Sequence, residues 1–85
     1  MTKHYKTSGT CARSIDIETD ENGIIRSVVF NGGCAGNTEG ISRLVVGMES
    51  RRVADLLRGT DCNMKGTSCP DQLAKALDEM RAENP

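Results

Sequence analysis

Between Cys11 and Cys34, two runs of alternating polar and apolar residues meet at Asn22-Gly23. Asn-Gly readily adopts the left-handed backbone that a two-residue type I′ turn needs, so the two runs are expected to form an antiparallel β-hairpin. Residues equidistant from such a turn face one another: Ile17 opposite Val28, Ile15 opposite Phe30, and Arg13 opposite Gly32. That side is the expected core face. The reverse side carries Ser14, Asp16, Glu18 and Ser27, which suit water, together with Ile25 and Val29, which call for an added strand or a dimer contact. Continued outward, the same register sets Cys11 opposite Cys34 at the open end of the hairpin. A turn displaced by one residue offsets the two thiols but leaves them on one face.

The rest of the chain reads as helices joined by short turns. Ser68-Cys69-Pro70-Asp71-Gln72-Leu73 marks a helix start: Ser68 caps orphan N–H groups, Pro70 falls where its missing N–H costs nothing, and Asp71 favours the positive end of the dipole. Leu73, Ala76, Leu77 and Met80 follow at helical spacing, with Asp78, Glu79, Arg81 and Glu83 on the opposite face. An earlier helix, capped by Asn37 or Thr38, is expected to turn Ile41, Leu44, Val45 and Met48 inward and to stop at Gly47. A third, capped by Ser50, buries Val53, Leu56 and Leu57 and closes at Gly59, with Arg51, Arg52 and Arg58 as its solvated face. The segment from Tyr5 to Gly9 reads as a polar extended lead-in, and His4, the one histidine, is assigned no role. The expected fold is α+β: a small antiparallel sheet covered on one face by about three short helices, forming a single domain over residues 1–85.

With 85 residues, one Phe, one Tyr and no Trp, such a chain can bury only a modest aliphatic core. Small domains usually gain further support from a metal, disulfides or a partner subunit. A net charge of −1 and the lack of stacking side chains argue against a nucleic-acid surface. No apolar run reaches the roughly 18 residues a membrane span needs, and the first residues lack the apolar stretch of a signal peptide. The expected location is therefore the cytoplasm, where four cysteines are more often metal ligands or redox thiols than structural disulfides.

All four cysteines stand at the ends of expected elements: Cys11 opens a strand, Cys34 closes one, Cys62 lies in a loop, and Cys69 begins a helix. Packing cysteines would more often sit mid-element. The hairpin pairs Cys11 with Cys34, and the short segment containing Gly66 lets Cys62 return toward Cys69. Four thiolates held on turns and helix starts suit structural zinc, although the close C-x₂₋₄-C spacing of many zinc sites is absent. Redox thiols, with Cys69 favoured as thiolate by the helix dipole, and four unconnected small hydrophobes remain alternatives.

A weaker signal lies in Phe30-Asn31-Gly32-Gly33-Cys34-Ala35-Gly36-Asn37-Thr38. Backbone N–H groups at a helix start can cradle an anion, making Gly32, Gly33, Gly36, Asn37 and Thr38 candidate nucleotide contacts. Neither a Gly-Lys-Ser/Thr ending nor a full Gly-x-Gly-x-x-Gly is present, and Glu39 would repel phosphate. The competing reading is a tight strand-to-helix turn.

Thr67-Ser68-Cys69-Pro70-Asp71, with Gly9-Thr10-Cys11, Gly32-Gly33-Cys34-Ala35-Gly36-Asn37 and Gly40-Ile41-Ser42, resembles the TSCPD domain family in its short free-standing form. The resemblance spans nearly the whole chain. Similar domains occur at the C-terminus of adenosylcobalamin-dependent ribonucleotide reductases, so the resemblance implies a metal-binding or reductase-associated role, with Cys11, Cys34, Cys62 and Cys69 as the ligands. Free-standing members are often labelled ribonucleoside-diphosphate reductases by that similarity. A chain of this size has no room for the catalytic barrel, radical-generating cofactor pocket or substrate site of a reductase, and so is not that enzyme alone. The expected function is a zinc-binding accessory module docking on a larger protein such as a ribonucleotide reductase, with a homodimer as a further partner. A thiol-redox carrier using Cys62 and Cys69, and a nucleotide-binding protein, are the alternatives.

Overall fold

The computed structural model describes residues 1–7, 12–32, 35–60 and 68–83. It is an α+β fold in which β1 (Thr2–Lys6), β2 (Ala12–Thr19) and β3 (Ile25–Gly32) form an antiparallel sheet of order β1-β2-β3. Three helices follow: α1 (Ala35–Leu44), α2 (Ser50–Leu57) and α3 (Cys69–Glu83). The expected hairpin is present, with Ile15 opposite Phe30 and Ile17 opposite Val28. A third strand, Thr2–Lys6, pairs along β2; it shares Tyr5 and Lys6 with the expected Tyr5 to Gly9 lead-in, whose residues 8 and 9 lie outside the described residues.

The hairpin departs from ideal register at both ends. At the turn, the Asp20 N–H donates to the Ile24 carbonyl and the Gly23 N–H to the Asp20 carbonyl, so residues 21–23 form a three-residue loop rather than a two-residue one. Asp20 determines this outcome, because its carboxylate also accepts the N–H groups of Asn22 and Ile24, each at 2.9 Å. Gly23 then takes φ = 79°, a left-handed backbone that glycine adopts without strain. One step further, Thr19 pairs with Ile25 while Glu18 pairs with Ser27, leaving Arg26 as an extra residue in β3. That bulge corrects the expectation for Ile25: the extra residue flips it from the reverse face into the core, where it is fully buried.

A second irregularity corrects the pairing of Arg13 with Gly32. Ala12 pairs with Gly32 and Ser14 with Asn31, so Arg13 is the extra residue in β2. A strict register would have turned a guanidinium toward the core; the shift places Ala12 there at 3 % exposure and leaves Arg13 exposed. The Arg13 side chain lies against Gly32, where φ is 84° and an added Cβ would come within 3.3 Å of Arg13 Nε.

The core sits between the sheet and α3. Ile15, Ile25, Leu73, Leu77 and Val53 are its largest fully buried side chains, with Tyr5, Phe30, Ile41, Met48 and Leu57 packed at its margin. Full burial of such aliphatic chains is worth roughly 1.5–3 kcal/mol each. The α3 stripe is as the periodicity predicts: Leu73, Ala76, Leu77 and Met80 are all buried. The two shorter helices differ from expectation. Their cores are narrower, since Leu44 and Leu56 are exposed (75 % and 58 %) while Ala54 is fully buried. Leu44 is the last residue of α1, and on α2, which packs against α3, Ser50, Val53 and Ala54 are the buried residues. α1 also begins at Ala35, two residues ahead of Asn37, the earlier of the two expected caps. Ser50 is the first residue of α2 rather than its cap; the N-cap position is Glu49, which makes no side-chain capping bond. Among the described residues no helix is long and apolar enough to cross a membrane.

Candidate functional site

Of the four cysteines, Cys69 is the one within the described residues. It is a free thiol, partly exposed, at the first residue of α3. Cys11, Cys34 and Cys62 lie outside the described residues, as does Gly33 of the candidate anion loop. The start of α3 is built as its sequence requires. Ser68 Oγ accepts the Asp71 N–H at 3.1 Å, and the Ser68 carbonyl accepts the Gln72 N–H at 2.8 Å, opening the helix ladder. Pro70 occupies the second helical position, where no ladder donor is lost.

The residues that flank the cysteines are tied in two pairs. Ala12, next to Cys11, pairs with Gly32, two residues before Cys34. The register that set the two thiols opposite one another stops at the Arg13 bulge, but the strand ends that carry them stay joined through Ala12 and Gly32. The second pair brackets the segment containing Cys62. Ser68 Oγ donates to the Thr60 carbonyl at 2.6 Å, and Asp71 Oδ1 accepts the Gly59 N–H at 2.7 Å, holding the end of α2 against the start of α3. Asp71 is 3 % exposed, with Lys75 Nζ 3.4 Å from its second oxygen. Asp71 was expected to serve only the helix dipole. No local sequence pattern marks this second role, because the acceptor geometry follows from tertiary packing between α2 and α3.

Other charged groups clamp α3 to its neighbours. Arg58, expected to be solvated, makes a two-pronged contact with Asp78 (2.8 and 3.1 Å) and also reaches Asp55; the Asp78 bonds foremost raise its already high pKa. Lys3 on β1 reaches Glu79 at 2.7 Å and Glu83 at 2.9 Å, and these hydrogen bonds raise its pKa, that to Glu79 most.

The reverse face of the sheet carries a polar network that the sequence does not announce, because the strand holding His4 shows little apolar alternation. Asn31 Nδ2 donates to Asp16 Oδ2 at 2.8 Å and to Ser14 Oγ at 3.0 Å, while His4 Nδ1 lies 2.5 Å from Asp16 Oδ1. The contacts run across all three strands. They hold the Asp16 carboxyl below its usual range, the Asn31 bond contributing most and His4 next. Of the candidate anion contacts, Gly32 ends β3, and Gly36, Asn37 and Thr38 fall within the first turns of α1, with Thr38 5 % exposed. Among the described residues no three His, Cys, Asp or Glu side chains group closely enough to hold a metal ion.

The sequence profile of the TSCPD domain matches residues 1–81, a span that includes the three-stranded sheet and the capped, Pro-bearing start of α3 at Ser68-Cys69-Pro70-Asp71. The chain belongs to the TSCPD domain family. The match takes in β1 as well as the hairpin and all three helices as far as Arg81. No curated protein and no solved structure matches this TSCPD domain.

Proposed function

We propose that this TSCPD domain is a zinc-stabilised accessory module of ribonucleotide reduction, binding its metal through Cys11, Cys34, Cys62 and Cys69 and docking on a larger protein, a ribonucleotide reductase. The observation that carries the metal half is the pairwise tying of the chain on either side of the cysteines: Ala12 to Gly32, and Thr60 to Ser68. Two fixed strand ends and a clamped loop base reduce the entropy lost when flanking thiols gather on one ion. Cys69 fits a ligand role as a free, partly exposed thiol at a helix start. Four thiolates are a donor set that zinc favours, and the ion would supply cross-linking between the sheet and the loop before α3 rather than chemistry on a substrate. The reductase half rests on the family: related domains occur in adenosylcobalamin-dependent ribonucleotide reductases, and the fold described offers no barrel in which to run that reaction.

Cys69 as a free thiol also suits a second reading, a thiol carrier in which Cys62 and Cys69 form a disulfide as they pass two electrons and two protons to a disulfide of the reductase. The two readings separate on one substitution. Cys69→Ser should lose zinc and lower the melting temperature if the cysteine is a ligand, whereas in a carrier it abolishes disulfide exchange and leaves the melting temperature near that of the reduced parent. Docking is tested by using the zinc-replete chain as bait under reducing conditions: recovery of a ribonucleotide reductase is expected, and recovery of no protein of nucleotide metabolism removes the docking claim.

A further inference from the structure

We propose that β3 is a self-pairing edge, and that two copies of this chain join antiparallel through β3 about Val29 to make a continuous six-stranded sheet. β3 is an outer strand of the three-stranded sheet. Its free side is already used for backbone pairing at one end. Ile25 donates to the Met48 carbonyl at 2.9 Å and accepts the Gly47 N–H at 2.8 Å, and Ile24 bridges to Glu49. That cover stops at Ile25. Among the described residues, no backbone hydrogen bond joins residues 26–32 to anything beyond the sheet.

A groove of about 500 Å³ runs beside this uncovered stretch, bordered by residues 26–30 of β3 and, on the α1 side, by Thr38, Glu39, Ser42, Arg43 and Val46. Successive strand residues point to opposite faces, so five in a row can border one groove only along the strand edge. The groove therefore follows the backbone, as a site for strand addition does. Val29 and Val46 are each 50 % exposed and both border it, so two of the large apolar side chains left exposed by the fold lie where an added strand would run.

The pattern of β3 selects a second copy as the occupant. Centred on Val29, antiparallel pairing sets Val29 opposite the partner's Val29 and Ser27 opposite the partner's Asn31 on the reverse face. On the core face it sets Val28 opposite the partner's Phe30. At these positions apolar meets apolar and polar meets polar, and Arg26 falls opposite the partner's Gly32. Centring on Val28 instead would put Ser27 against the partner's Val29 and Arg26 against the partner's Phe30, mixing polarity on both faces. Pairing about Val29 also removes an open hydrophobic edge, which is otherwise an aggregation hazard.

The test uses the full zinc-replete chain in sedimentation equilibrium across micromolar to several hundred micromolar concentrations, with Val29→Lys, Val29→Glu and their equimolar mixture. Val29 is half exposed, so both variants should retain the parent circular dichroism and melt. The parent is expected to dimerise, each charged variant to dimerise roughly tenfold or more weakly, and the mixture to regain parent-like association, because Lys then faces Glu at the two-fold centre. A parent that stays monomeric, including one that captures a foreign extended peptide instead, overturns the proposal. So does dimerisation of Val29→Lys at parent strength, or a mixture that stays as weak as its components.

Discussion

Asp71 carries two duties that only the folded chain brings together: it lies in the first turn of α3 and accepts the Gly59 N–H at 2.7 Å from a position 3 % exposed. Asp71→Ala should leave that donor without its partner and cost about 1–3 kcal/mol in chemical denaturation, while Asp71→Asn, which retains an acceptor oxygen, should cost less. Ser68→Ala removes the cap together with the bond to the Thr60 carbonyl, so its loss should fall toward the upper part of the roughly 0.5–2 kcal/mol range for caps. At Asp20 and Asp16 the effect is legible in pH instead. The Ile24 N–H foremost holds Asp20 below its usual carboxylate range, as Asn31 and His4 hold Asp16. A carboxyl whose folded pKa is depressed contributes stability that is present above its unfolded pKa, about 3.9, and is lost as pH falls through the folded value. Stability should therefore decline as pH drops below about 4. Asp20→Asn should flatten that decline, which acid titration followed by circular dichroism would measure; an unchanged slope would contradict the assignment of Asp20 to the turn.

Among the elements, those with a long periodic pattern were legible and those decided by one residue were not. The Leu73, Ala76, Leu77 and Met80 stripe of α3 and the Ile15–Phe30 and Ile17–Val28 pairs follow from spacing alone. The two β-bulges do not, because a bulge is a tertiary compromise: one at Arg26 brings Ile25 inward, the other at Arg13 keeps a guanidinium out of the core. The short helices misled for a related reason. With eight to ten residues each, α1 and α2 offer roughly two to three turns, and over so short a span the chain direction at their ends decides which leucine is covered. Leu77→Ala should accordingly cost about 2–5 kcal/mol, whereas Leu56→Ala, at 58 % exposure, should stay within about 0.5 kcal/mol of the parent. Urea unfolding of the two variants separates the true core stripe from the one that periodicity suggests. Of the candidate site, Cys69 is the cysteine within the described residues, at the helix start that Ser68 and Pro70 predict, and the ties beside it, Thr60 to Ser68 and Gly59 to Asp71, depend on packing between α2 and α3 that no local pattern encodes.

For the whole molecule, α3 is the common support. It buries its apolar stripe in the core, meets β1 through Lys3 with Glu79 and Glu83, meets α2 through Asp78 with Arg58, and begins at Cys69. The core around it is aliphatic and small, with one Phe and no Trp in the chain, so a bound ion contributing on the order of 10 kcal/mol would rival the stability of the entire domain. The direct measurement is zinc content combined with thiol accessibility on protein purified under reducing conditions. One zinc per chain is expected, with all four cysteines protected from alkylation until a chelator is added, and with the melt falling on chelation and recovering when zinc is restored. Protein without stoichiometric metal, carrying freely alkylated cysteines and a melt that chelator leaves unchanged, would contradict the account.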